Sequence, residues 1–260
     1  MRVPVTDGEL QCDVIGSGSP VVFLHGFPLS GLMWAHAAIR LPPGHRAIIP
    51  DLRGHGRSTA SLETSITQLA DDVVTLLDAV APDQQAVFLG LSMGGMICFD
   101  IWRRHRPLVR ALVLCDTRSN VDTAEAAQRR LALADAALKE GPSAVVDAML
   151  PNLFAPQLDP QLRAHWRSIM LETPTVGLAA TQRALASRPD STATLSTIAC
   201  PTLVVAGELD TLTPLDSMRR IHESIPSSRL EVIAGAGHVP PVEQPERFST
   251  VLNTFLNSLP

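Results

Sequence analysis

Residues 86–94, AVFLGLSMG, run from an apolar stretch into Gly90-Leu91-Ser92-Met93-Gly94. A serine hydroxyl is a poor nucleophile at neutral pH. It needs a base, and the base needs a carboxylate to orient it. A sharp turn from a buried strand into a helix would hold Ser92 in a strained conformation with its Oγ exposed, and glycines at positions 90 and 94 would let the turn close. The helix that follows would also point free N–H groups and a partial positive charge at the serine. The competing reading is a structural turn serine. The strand-to-helix setting favours the nucleophile.

The base and the acid are expected in the order acid, then histidine, each on a loop after a strand. TLVVAGELD places Asp210 just past one strand pattern, and LEVIAGAGH places His238 just past the next. Asp116, after ALVLC, is a rival acid, and Glu208 lies earlier in the Asp210 turn. His36, His45, His105, His165 and His222 fall in helix or surface contexts, and His55 in a glycine turn. Attack on a carbonyl also requires donors for the oxyanion. The N–H of Met93, next to the nucleophile, is one. The other is expected from His25-Gly26-Phe27-Pro28, where Phe27 has an N–H and Pro28 has none. His25 reads as a structural hydrogen-bonder behind that loop.

These groups need elements to carry them. RVPVTDGELQCDVIG alternates and reads as a β-hairpin turning at Asp7-Gly8. Six short apolar runs follow: 21–25, 46–50, 86–90, 111–115, 202–207 and 230–235. Most are unbroken, as in parallel strands covered on both faces. Helical patterns lie between them at 64–81, 93–106, 214–224 and 244–256, with Asp71 and Asp72 of the first placed on its polar side. The class is α/β. From 118 to 194 the strand rhythm stops, and four helical patterns suggest a cap inserted in a core formed by 1–117 and 195–260. The cap would cover the sheet edge where ligands of such folds bind.

Composition narrows the partners. The 260 residues carry a net charge of −5, which disfavours a phosphate-tracking surface. Nothing has the length and apolarity of a membrane span or the core of a signal peptide, so a cytoplasmic protein is expected. Cys12, Cys98, Cys115 and Cys200 are scattered without metal-type spacing and read as free thiols. The serine chemistry calls for no metal and no organic cofactor. Nothing sets an oligomeric state.

Taken together, HGFPLSGLMW (25–34), DLRGHGRS (51–58), GLSMGG (90–95), GELD (207–210) and GAGHVPPVEQPERF (235–248) resemble the α/β-hydrolase superfamily over nearly the whole chain. The resemblance implies a mostly parallel eight-stranded sheet with helices on both faces and a helical cap. It also implies Ser92, Asp210 and His238 as a triad, and structural roles for Asp51, Arg53 and Gly54. The nearest branches are 3-oxoadipate enol-lactonase-like hydrolases and small carboxylesterases, which act on small-molecule esters or lactones. Perhydrolases and carbon–carbon bond hydrolases of the same fold are alternatives, as is a receptor that retains the triad. Haloalkane dehalogenases and epoxide hydrolases carry aspartate where this chain has Ser92, and epoxide hydrolases use cap tyrosines that this chain lacks. Trp34, Phe154 and Trp166 are candidate substrate-binding residues, with lid packing the competing reading; Met149 and Met170 share that choice. Arg118, Arg129, Arg130, Arg163 and Arg167 could hold a substrate carboxylate, although a solvated helix face is the preferred reading.

Overall fold

Asp7, rather than Gly8, turns the first hairpin. In the computed structural model, which describes residues 1–260, β1 (Arg2–Val5) pairs antiparallel with β2 (Gly8–Gly16), and Val5 faces Gly8 across the ladder. The loop is therefore Thr6-Asp7, one position before the predicted turn. Asp7 takes a φ of 57°, which a short aspartate tolerates, and Gly8 stays in the ladder.

The remaining strands are β3 (Ser19–Leu24), β4 (His45–Pro50), β5 (Ala86–Leu91), β6 (Val109–Cys115), β7 (Thr202–Gly207) and β8 (Ser228–Ile233). They form one eight-stranded sheet in the order β1-β2-β4-β3-β5-β6-β7-β8. β2 meets β4 antiparallel, and every pair from β4 to β8 is parallel. All residues of β5 and β7 are buried, as their unbroken apolar runs require, whereas β8 at the edge is only partly covered.

The helices are α1 (Ala35–Ala38), α2 (Ile66–Val80), α3 (Met93–His105), α4 (Ala124–Glu140), α5 (Ser143–Leu153), α6 (Pro160–Leu171), α7 (Thr175–Ala186), α8 (Thr192–Leu195), α9 (Leu215–Ser224), α10 (Pro240–Glu243) and α11 (Pro245–Asn257). Their starts follow local chemistry. Ser65 Oγ accepts the Gln68 N–H at 3.0 Å, and Thr123 Oγ1 accepts that of Ala126 at 3.2 Å. Pro160 and Pro245 open α6 and α11, where a missing N–H costs nothing. Two apolar cores flank the sheet. One buries side chains of α2, α3 and α9; the other buries those of α1 and α11 with Leu153, Phe154, Trp166 and Met170. Helices α4 to α8 all lie between β6 and β7. No helix is long and apolar enough to cross a membrane.

Asp72 is not on a solvated side of α2. Its side chain is 1% exposed and takes two hydrogen bonds from Arg53, at 2.7 and 2.8 Å, while Arg53 also donates to the Thr6 carbonyl. This fork ties the turn after β4 to α2 and to the hairpin. Breaking one side of a buried pair leaves an uncompensated charge and costs about 3–5 kcal/mol. Asp72→Ala should therefore lower the melting temperature by about 10 °C or more. Thermal unfolding followed by circular dichroism checks this, and a shift under about 2 °C would contradict it.

Candidate active site

Ser92 joins β5 to α3 with φ 53° and ψ −110°, a backbone region that non-glycine residues rarely occupy. The strain is held from several sides. Ser92 N–H donates to the Cys115 carbonyl at 2.9 Å, and Thr117 Oγ1 donates to the Ser92 carbonyl at 2.6 Å. A Cβ at Gly90 would collide with the backbone of Gly94, and one at Gly94 with the Leu24 carbonyl of β3. Only hydrogen fits at either place. Ser92 itself stays half-buried, and its Oγ makes no hydrogen bond within the chain.

Asp210 and His238 follow β7 and β8, and their side chains meet. His238 Nδ1 lies 2.8 Å from Asp210 Oδ2, and both residues are buried. A carboxylate cannot donate, so Nδ1 carries the hydrogen and Nε2 presents its lone pair. Nε2 has no partner within the chain, and His238 lines the same small cavity as Ser92. Asp210 is fastened in turn. Its Oδ1 accepts the N–H groups of Leu212 and Thr213 at 2.7 and 3.0 Å, and the Thr213 hydroxyl donates to Oδ2. Burial works to raise the Asp210 carboxyl, but its electrostatic attraction to His238 and the hydrogen bonds from His238 and Thr213 outweigh it and hold the group well below the usual carboxylate range.

The two candidate oxyanion donors are both free. Met93 N–H is at the first position of α3 and has no acceptor in the chain, nor has Phe27 N–H. Both residues are buried, and Phe27 lines the cavity beside Ser92. Behind them His25 takes the Leu52 N–H on Nε2 at 2.9 Å and gives its Nδ1 hydrogen to the Gly26 carbonyl at 3.0 Å. Burial lowers its pKa, so it stays neutral.

Asp116, the rival acid, makes no hydrogen bond to a histidine. It is fully buried, with Oδ1 accepting the Gly207 N–H at 2.9 Å and Oδ2 without a partner. Burial drives its carboxyl well above the ordinary value, and the adjacent Asp210 charge drives it further. Asp116 therefore holds its proton more tightly than an ordinary carboxyl does, beside Asp210. An acid whose native pKa is raised contributes most below its unfolded value of about 4, and that contribution is lost as pH rises through the native value. Asp116→Asn keeps the acceptor for Gly207 and removes the titration. The melting temperature of this variant relative to the unsubstituted protein should climb as pH rises above about 4. Parallel curves would rule out a raised Asp116 carboxyl.

The model of the α/β-hydrolase fold family matches residues 19–245. The chain belongs to that family. A thermophilic esterase from Thermogutta terrifontis, solved with malate bound, is 36% identical, with full coverage of this α/β-hydrolase, 99% of its own chain covered and a TM-score of 0.96. The enol-lactonase from Burkholderia xenovorans is 27% identical over 99% of this chain and 100% of its own, with a TM-score of 0.91. A Bacillus subtilis protein named provisionally as a 2-succinyl-6-hydroxy-2,4-cyclohexadiene-1-carboxylate synthase is 32% identical over 100% of this chain and 99% of its own length.

In this α/β-hydrolase the cavity at Ser92 has a volume of about 90 Å³. Its lining includes Phe27, Met96, Met149, Leu212 and Thr213 with His238. None of Trp34, Phe154 and Trp166 is among the lining residues. Trp34 is fully buried between Phe23 and Phe248. Phe154 and Trp166 are buried in the core on the same side of the sheet, with the Arg163 guanidinium over the Phe154 ring. Large aromatics fill core volume wherever they can be covered, and here all three are. Two polar residues escaped the sequence reading. Thr213 is one, signalled only by its place three residues after Asp210. Glu243 is the other. Its carboxylate accepts the N–H groups of Gly237 and Val239, both at 2.9 Å, so it grips the chain on either side of His238, and it takes the Ala155 N–H at 2.7 Å as well. Cys12, Cys98 and Cys115 are buried and Cys200 half-buried. Burial pushes the Cys12 and Cys200 thiols up to about 11, so neither is a reactive thiolate.

Proposed function

We propose that this α/β-hydrolase cleaves a carboxylic ester or lactone of a small substrate through an acyl-enzyme on Ser92. The observation that carries the reading is the oriented pair His238–Asp210, with Nε2 left free in the cavity that Ser92 lines. Ser92 Oγ attacks the carbonyl carbon as its proton passes to His238 Nε2. Negative charge on the carbonyl oxygen is taken up by the Phe27 and Met93 N–H groups, each such donor being worth roughly 3–4 kcal/mol. The imidazolium, stabilised by Asp210, returns the proton to the departing alkoxide. A water then gives its proton to His238 and its oxygen to the acyl carbon, and collapse releases the acid and restores Ser92. The esterase and enol-lactonase relatives support this class of reaction.

The test is a panel of short p-nitrophenyl esters, with a fluorophosphonate as active-site label. Multiple turnovers, abolished by one phosphonyl adduct located on Ser92 by peptide mass spectrometry, are expected. A stoichiometric burst without turnover would point to a receptor, and labelling elsewhere would overturn the assignment of the nucleophile.

A further inference from the structure

We propose that Arg118 and Arg130 form an anion subsite beside Ser92, and that the substrate bears a carboxylate a few atoms from the scissile carbonyl. This rests on the ester or lactone reading above and names its substrate class. Both guanidiniums line the cavity that Ser92 and His238 share. They sit on the segment between β6 and β7 and come from the set whose preferred sequence reading was a solvated helix face. Arg129 is exposed as that reading expects, and Arg167 pairs with Asp147 at 2.7 Å. Arg118 and Arg130 are instead half-buried and turned inward.

The charge balance at that wall is incomplete. Three guanidiniums, Arg118, Arg130 and Arg188, stand together, and the carboxylates acting on Arg118 are Asp122 and Asp210. Asp122 is committed to Arg130 at 2.6 Å and Arg188 at 2.8 Å. Asp210 is committed to His238 and Thr213. Arg188 is satisfied by Asp122 and the carbonyls of Asn120 and Leu185. Arg130 gives one further bond, to Gln182 Oε1 at 3.2 Å. Arg118 has a single partner, the Leu212 carbonyl, and no carboxylate. Removal from water lowers its pKa, as expected for a cation that has lost hydration without gaining a counter-ion. A planar guanidinium with spare N–H donors fits a carboxylate in a two-pronged arrangement. Arg118 also lines a second cleft of about 360 Å³, with Arg220 and Glu223.

Monomethyl esters of malonate, succinate, glutarate and adipate, each compared with its neutral methyl ester amide, test this in a pH-stat. In the unsubstituted protein at least one acid should exceed its amide in kcat/KM by about tenfold. Arg118→Gln should cut that ratio by about ten- to a hundredfold. Arg130→Gln, which leaves the Arg118–Leu212 contact in place, should also reduce it and carries the test if the first variant misfolds. Free dicarboxylates should inhibit p-nitrophenyl acetate turnover in the unsubstituted protein more strongly than their diamides. The subsite is overturned if esters are cleaved but no acid beats its amide, or if neither variant changes the ratio from that of the unsubstituted protein. Cleavage of neither series, or cleavage that persists in Ser92→Ala, overturns the hydrolase reading instead.

Discussion

Ser92→Ala should lower kcat for p-nitrophenyl acetate by about 10⁶-fold while leaving the fold intact. The two halves of this expectation have separate grounds. Ser92 Oγ makes no hydrogen bond in the resting molecule, so its removal costs little stability. The strained backbone at φ 53° and the bonds to Cys115 and Thr117 remain. What disappears is the atom proposed to form the acyl-enzyme. The Phe27 and Met93 donors survive and would still give a residual rate above that in water. Steady-state turnover with a melting curve decides the matter. Retention of more than about one per cent of activity in a fully folded variant would remove Ser92 from the mechanism.

Asp210→Asn is expected to cost about 10⁴-fold in kcat at neutral pH. Asparagine can keep its oxygen toward the Leu212 and Thr213 N–H groups, so the turn after β7 should persist. Its amide then faces His238 Nδ1 with donors, and the imidazole must shift its hydrogen to Nε2. That places a proton where the serine needs a lone pair. Asp116→Asn, by contrast, should reduce kcat less than tenfold, because Asp116 meets the Gly207 backbone and no histidine. Measuring kcat for both variants on one ester assigns the acid. A large loss in the second with a small loss in the first would transfer the role to Asp116.

How far these features could be read in advance follows from what generates them. The unbroken apolar runs at 86–90 and 202–207 became fully buried strands, because a parallel sheet with two covered faces admits little else. The serine turn was legible because steric exclusion at Gly90 and Gly94 is written in residue type. Properties set by what lies across space were not. Asp72 follows the polar side of a helical pattern, yet Arg53 arrives from a turn nineteen positions earlier and buries it. Trp34, Phe154 and Trp166 have the chemistry of pocket walls and of core filler alike, and only the packing distinguishes the two. Arg130 of α4 faces inward because α4 lies against α7, whose Gln182 it reaches at 3.2 Å, whereas its neighbour Arg129 stays exposed. Sequence spacing does not encode that. Glu243 was missed for another reason. All its partners are backbone N–H groups, which every residue but proline possesses and no motif announces.

The reach of that carboxylate has a mechanical side. One anchor holds the loop bearing His238 and, through Ala155, the start of the stretch following α5. A displacement of residue 155 would break one of the three bonds that fix the Glu243 carboxylate, so the setting of the His238 loop is tied to the position of the chain just after α5.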